Sequence, residues 1–383
     1  MDSIMDKKMI FGIFIALWIQ FIATVEMSIV MPLAPFIAQA YGIEAVYAIL
    51  LNIGFALFGV LAPLLGYNAD KYGIKKMLLG ALSLFVLGSM MVASVQNITG
   101  YIMGRSLLGL SFFTILGMTQ TYIIKTAPHH AGPLSGIHRI VFALGVFASP
   151  WLGQVLVTSG SLQILYNILS IIGIITLALT SFAHEIQDLN TQRSLKDLLH
   201  TLNQKVVIGW LVAVFFNALP AIFFFNYLSI YLNELGWTGQ AITQQYTLTA
   251  FGSVLGGILI VFITSKFKLS SLLKVFLWIP AIMLALFISQ DMMWYPILGL
   301  SFGLFFDATW GMVFPYASTL VPYYAATFLT LISLVMAFTN VVTTLAGAWV
   351  YQLGGFSLMI WICVIGGLLG ASIQVLIIKQ KSA

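Results

Sequence analysis

Gly66-Tyr67-Asn68-Ala69-Asp70-Lys71-Tyr72-Gly73-Ile74-Lys75-Lys76 is a short polar loop set between two apolar runs of about twenty residues each. A helix needs ~20 apolar residues to cross a bilayer core of ~30 Å, so the loop reads as a turn between two membrane-spanning helices. Its two glycines allow a tight turn between closely packed helices. Asp70 is placed to face the positive end of a neighbouring helix and to accept its free N–H groups. The lysines hold the loop in the cytosol.

On either side of this loop, apolar runs of spanning length fall near residues 9–33, 46–68, 77–95, 100–124, 134–157 and 163–183, then near 206–232, 243–264, 270–289, 294–318, 325–351 and 356–378. The expected fold is an all-α membrane protein of twelve transmembrane helices. Only 7% of the 383 residues are charged and 61% are hydrophobic. A soluble domain averages roughly 25% charged residues, so most of this surface must face lipid. Cys363 is the only cysteine, which excludes an internal disulfide and any cysteine-based metal site. The net charge of +5 is carried by basic residues scattered between apolar runs, a pattern that points to topology and not to nucleic acid.

With the N-terminus inside, the cytosolic side carries Lys7, Lys8, Lys71, Lys75, Lys76, Lys125, Arg193, Lys196, Lys205, Lys266, Lys268, Lys274, Lys379 and Lys381. The outer loops carry no Lys or Arg. This asymmetry places both termini in the cytosol and the protein in the cell membrane. The turn at Tyr323-Tyr324 has no base and stays without an account. Lys7 and Lys8, with Ala38-Gln39-Ala40, imitate a secretory signal, but the apolar run from Met9 to Val30 exceeds the ~7–15 residues of a signal core and reads as the first helix.

The polar stretch 184–205 divides the chain into residues 1–183 and 206–383, six spans each. Leu195, Leu198, Leu199 and Leu202 repeat at helical spacing behind Ser194, so the stretch is either a short amphipathic helix on the cytosolic membrane surface or a plain linker. A shift of roughly 195 positions lays Phe55 on Phe251 and the Asp70–Lys76 loop on Lys266–Lys274. Two pseudo-symmetric six-helix bundles with a substrate site near the midplane form a recurring transporter plan.

The loop resembles the signature of the major facilitator superfamily, Gly-x-x-x-Asp-Arg/Lys-x-Gly-x-Arg/Lys-Arg/Lys. Gly66, Asp70, Lys71, Gly73, Lys75 and Lys76 meet its key positions. Arg105-Ser106-Leu107-Leu108-Gly109 resembles the family's Arg-x-x-Gln-Gly motif, with Leu108 for glutamine. Gly145-Val146-Phe147-Ala148-Ser149-Pro150-Trp151-Leu152-Gly153 is similar to its Gly/Pro-rich antiporter motif through Gly145, Pro150 and Gly153, with Ser149 and Gln154 replacing two glycines. Glu26-Met27-Ser28-Ile29-Val30-Met31-Pro32-Leu33-Ala34-Pro35 resembles the acid-to-proline pattern of drug–proton antiporters. Before Pro128 the family usually carries an acid, whereas this chain has Lys125. Lys125 is expected either to pair with Asp70 and latch the cytosolic side or to mark the membrane edge. The family arrangement implies that spans one, four, seven and ten line a central cavity.

Charges inside the spans are the candidates for coupling. An ionisable group at the bilayer centre costs ~3 kcal/mol or more unless it is paired or faces water. Glu26 lies in the first span, Arg105 in the fourth and Asp307 in the tenth. At ~1.5 Å per residue, Glu26 and Arg105 each sit roughly 9 Å below the outer surface. A Glu26–Arg105 pair across the cavity is expected, either as a proton-coupling device or as a structural pair. Burial disfavours the charged carboxylate while the guanidinium favours it, so weakening the pair lets Glu26 take a proton and restoring it releases one. A proton crossing ~100 mV yields ~2.3 kcal/mol. Asp307 reads as a cation-binding group, a second proton site, or a carboxylate held by Thr309 or a neighbouring helix. His138 and Arg139, a turn or two inside the fifth span, read as contacts to headgroups or a loop, and His129-His130 as a solvated turn.

The substrate wall is read from Trp18, Gln20, Asn217, Phe223, Asn226 and Trp310. Amides and the helix break at Pro220 avoid lipid, and aromatic faces suit an amphipathic organic solute. No Gly-x-x-x-x-Gly-Lys-Ser/Thr loop is present, so ATP is not the direct energy source, and no His-Glu-x-x-His motif suggests an enzyme. The expectation is a monomeric secondary transporter, with no cofactor and no metal, that exports small amphipathic organic compounds against proton entry by alternating access. Its partners are the solute, protons and membrane lipid. A proton-coupled importer, a dedicated metabolite or siderophore exporter, and a non-transporting membrane receptor are the alternatives.

Overall fold

Twelve helices long and apolar enough to cross a membrane run through the described residues, and no strand forms among them. The computed structural model describes residues 7–43, 51–95, 97–159, 161–186, 203–289 and 291–382, with the backbone alone at 31–36, 38–40, 150, 154–159, 229, 230, 233, 239, 240, 243, 289, 348 and 382. The leucine-rich stretch of the linker, Leu195 to Leu202, lies outside the described residues, as does its cap Ser194.

The helices are α1 (Lys7–Tyr41), α2 (Ile53–Tyr72), α3 (Ile74–Ser94), α4 (Ile98–Thr126), α5 (Ala131–Ser159), α6 (Leu162–Thr180), α7 (Lys205–Glu234), α8 (Gly239–Ile263), α9 (269–289) and α10 (Tyr295–Leu320). α11 and α12 are the arms of Ala325–Ser382 on either side of Gly354 and Gly355, where the backbone leaves the helical region. Two helices are broken. α2 consists of Ile53–Gly59 and Ala62–Tyr72, and α9 of Leu269–Phe276 and Ile279–Ser289. Pro63 and Pro280 open the second piece of each, in the first turn where a missing N–H leaves no bond unmade. α1 departs from expectation. It continues through Pro32 and Pro35 to Tyr41 and stops at Gly42, whose φ is 64°. Glu26 therefore lies 15 residues from that end, farther from it than the roughly 9 Å expected.

The chain divides into two compact units. The first comprises residues 1–131, 145–194 and 321–338, and so contains α1 to α4, α6, the second part of α5 and the first part of α11. The second comprises residues 132–144, 195–320 and 339–383: the first part of α5, α7 to α10, the rest of α11 and α12.

Large apolar side chains such as Phe14, Leu64, Trp151, Leu345 and Leu376 are exposed, as a lipid-facing surface requires. Lipid tails are as apolar as leucine, so burial of greasy surface does not hold such helices together. Close backbone approach at small residues does. In the second unit α8 packs along α10 through Gly252, Gly256 and Gly303, and a Cβ at Gly256 would lie 3.1 Å from the Ala308 nitrogen. In the first unit Gly109 of α4 lies against the Phe55 backbone of α2.

Candidate functional site

The α2–α3 turn is where sequence and fold meet most directly. Gly73 caps α3 with φ 107°, a left-handed conformation that a side chain would strain. Gly66 has a different task from the turn expected of it: it lies inside α2, where an added Cβ would meet Thr330 and the Ala326 carbonyl of α11. Between them Asp70 is buried and accepts from the Thr327 backbone N–H at 2.7 Å, the Thr327 hydroxyl at 2.7 Å and the Ala326 N–H at 3.3 Å. These are free donors in the first turn of α11, and a carboxylate there also meets the positive end of the helix dipole. Lys125 Nζ stands 3.4 Å from Asp70 Oδ1. Lys71 lies over the Tyr72 ring at 4.9 Å, Lys76 is exposed, and the Lys75 N–H donates to Glu185 Oε1 at 3.2 Å. The base-free turn at Tyr323-Tyr324 also gains an account, because Lys381 Nζ reaches the Thr319 carbonyl beside it at 3.4 Å.

A second cluster sits inside the first unit. Arg105 Nη1 donates to Glu26 Oε1, and both side chains are almost wholly buried. Arg105 also donates from Nε at 2.9 Å and Nη2 at 2.7 Å to Asn52 Oδ1 of α2. The Tyr166 hydroxyl of α6 donates to Glu26 Oε1 at 3.4 Å, and the guanidinium carbon lies 4.5 Å from the Phe55 ring centroid. Glu26 Oε2 has no hydrogen-bond partner among the described residues. The guanidinium is thus held by a neutral amide as well as by the carboxylate.

Asp307 of α10 meets Arg139 of α5 in a buried ion pair within the second unit. This corrects the expectation for Arg139 and, of the two holders expected for Asp307, selects a neighbouring helix. Arg139 does not reach headgroups, and Thr309 does not hold Asp307, since its hydroxyl donates to the Phe276 and Phe305 carbonyls. Gly311 makes room for the arginine stem. His138 is buried beside it.

The residues expected to line a substrate wall are packed within their own units. Gln20 is buried, donating to Thr24 and accepting from Thr119 of α4 at 3.0 Å. Trp18 donates to Thr176 of α6 at 2.9 Å. Phe223 and Asn226 are buried on α7, Phe223 in an aromatic core. Asn217 donates to Gln374 of α12 at 2.8 Å. Asn217 and Trp310 share a narrow crevice with Pro220, Pro280, Phe306 and Gly367. In α5, Gly145 lies against Thr24 and the Phe21 carbonyl of α1, and Gly153 is buried. The side chain of Pro150 lies outside the described residues. Among the described residues no group of three or more His, Cys, Asp or Glu could hold a metal ion.

Sequence reasoning passed over Asn52, Tyr166, Glu185 and the partnership of Arg139. An amide in an apolar span is the signal that singled out Asn217, and it applies equally to Asn52. Tyr166 and Glu185 carry no comparable signal.

A family model described as Major Facilitator Superfamily matches residues 16–342. MFS transporter L2 of Phoma sp. is 27% identical over 151 residues, which are 39% of this chain and 25% of that protein. The MFS thioclapurine efflux transporter tcpA of Claviceps purpurea is 30% identical over 110 residues, 28% of this chain and 20% of that protein. The chain therefore spans only a fifth to a quarter of the length of these relatives. Other relatives bear the names of efflux pumps and of an arabinose-proton symporter. The crystal structure of the human organic anion transporter MFSD10 (TETRAN) superimposes with a TM-score of 0.78 at 15% identity, over 95% of this chain and 99% of that one, a likeness of fold.

Proposed function

The chain belongs to the Major Facilitator Superfamily, and on that premise we propose that it is a secondary active transporter that exports small amphipathic organic compounds in exchange for protons. The single observation that carries this reading is the enclosed Glu26–Arg105 pair, with one buried carboxylate oxygen left without a hydrogen-bond partner among the described residues. A carboxylate in a dry site is neutral with a proton and stable as an anion only beside its cation. Arg105 has a second anchor in Asn52, so it keeps its place while Glu26 exchanges the guanidinium for a proton. The proton's charge then leaves the membrane potential to drive the solute the other way. Export is supported by the resemblance of the α5 and α1 motifs to antiporters and by the names of several relatives.

In this reading residues 1–183 and 206–383 are the two halves that alternate, the lysine-bearing ends face the cytosol, and the protein works as a monomer that breaks no chemical bond in its solute. The Asp70–Thr327 cap closes the cytosolic side. Trp18, Gln20, Asn217, Phe223, Asn226 and Trp310 become a solute wall only when the halves move. The test is dye export in proteoliposomes under an imposed pH gradient. Glu26→Gln is expected to abolish driven transport while sparing energy-independent exchange. Driven transport that survives the substitution unchanged would sink the coupling scheme.

A further inference from the structure

We propose that Asp307 is a second proton-binding site, a carboxylate on α10 that takes up a proton when Arg139 of α5 withdraws from it. The proposal rests on the transport reading above. The pair joins α5, from the first half of the sequence, to α10, from the second, and its side chains are 6% and 7% exposed. It differs in kind from Glu26–Arg105, whose members both come from the first half. Arg105 is tied to Asn52 as well as to Glu26. Arg139 has no such second tie from Nε, which lacks a partner among the described residues, and its guanidinium lies over the Phe142 ring at 4.3 Å.

The packing around the pair decides what can neutralise it. A Cβ at Gly311 would meet Arg139 Cγ at 2.8 Å, one at Gly257 of α8 would meet the Ile140 nitrogen at 2.8 Å, and one at Gly136 of α5 would meet the Val261 nitrogen at 2.9 Å. No organic ion fits between backbones that close to methyl contact. A proton needs no room of its own and can reach Asp307 where an organic ion cannot.

Alternating access rocks one half against the other. Opening at the lysine-bearing end then draws α5 from α8 and α10 and parts the pair. Asp307, left without its guanidinium among apolar neighbours, is stable with a proton taken from water on that side. Closing returns Arg139, and the proton leaves to the same water. The site therefore carries no net proton across the membrane. It sets how readily this end opens, and because the open form holds the extra proton, opening rises as pH falls. The surrounding elements carry other titratable groups. α5 brings His138, buried beside Arg139; α9 carries Lys274; α8 carries Tyr246, whose hydroxyl donates to the Phe225 carbonyl; α7 carries Lys205, Tyr227, Tyr231 and Glu234; and α10 itself carries Tyr295 and Tyr316.

The test reads opening without transport. Thr264 ends α8 against Gly132 of α5. Thr264→Cys, in a Cys363→Ser background, is labelled with a membrane-impermeant maleimide in nanodiscs without solute, each rate normalised to the denatured protein at the same pH. Labelling is expected to rise about ten-fold from pH 8 to pH 6, the order of shift one proton can produce. Asp307→Asn should label fast and equally at both values, and Asp307→Glu should keep the slope. A slow Asp307→Asn protein, or one that keeps the background's pH dependence, overturns the site. If Asp307→Asn does not fold, Arg139→Gln/Asp307→Asn removes both charges and is held to the same flat profile. A flat background with intact Glu26-dependent transport removes this site alone, whereas driven transport indifferent to Glu26 removes the transport reading.

Discussion

Asp70 and Thr327, 257 positions apart in sequence, are bound twice to the same carboxylate oxygen at 2.7 Å, through the backbone N–H and the hydroxyl of Thr327. Asp70→Ala removes both bonds and the weaker one from Ala326 and leaves the first turn of α11 uncapped. A lost cap costs typically ~1 kcal/mol, and a buried carboxylate bond somewhat more, so a loss of about 2 kcal/mol is expected. Cys363 is fully buried and is the only cysteine, so its reaction with a thiol-reactive dye during heating measures the change directly.

Exchanging the charges of Asp70 and Lys125 should not restore what either single substitution loses. The two stand 3.4 Å apart, which invites the swap. Asp70 also serves three donors of α11, and a lysine in its place turns donors toward donors. Transport by Asp70→Lys/Lys125→Asp is expected to stay as low as in Asp70→Lys. A double variant with wild-type rates would show the ion pair, and not the cap, to be what matters.

Arg105→Lys keeps the charge but not the fork. One ammonium cannot reproduce the paired donation of Nε and Nη2 to Asn52 together with the bond to Glu26. Proton-driven transport is expected to fall by about ten-fold or more, with Asn52→Leu giving a similar loss because it leaves those two N–H groups buried and unmade. Both are read in the same vesicles as Glu26→Gln.

Gly256→Val should not yield a folded protein. The new side chain runs into the Leu304 carbonyl and the Ala308 nitrogen, and such overpacking between two backbones costs about 3 kcal/mol or more. Gly80→Val, at a site with nothing within 4 Å, should behave like the parent. Size-exclusion profiles of detergent extracts distinguish the two.

The twelve spans are legible because each must be a long apolar run, and proline and glycine mark the breaks in α2, α9 and between α11 and α12. The Glu26–Arg105 pair is legible because a charge in lipid demands a partner. The same arithmetic would have paired Asp307 with Arg139, the remaining acid and base within spans. That pairing is masked because Arg139 lies only a turn or two from the helix end, where headgroups offer an easier partner, while Gly311 gives the arginine stem a way inward that periodicity does not reveal. The end of α1 is hard to read for a related reason. Pro32 and Pro35 are strong local signals, yet the helix runs past both. The packing of Trp18 and Gln20 against α6 and α4 depends on which face each helix turns inward, and an almost uniformly apolar span carries little record of that.

Each compact unit borrows a stretch of helix from the other half of the sequence, residues 321–338 in one case and 132–144 in the other. A gene split within codons 187–202 would accordingly encode two polypeptides that are each missing a strut. Neither should be stable when synthesised without its counterpart. Made together, they have the means to rebuild a whole molecule with no peptide bond between them.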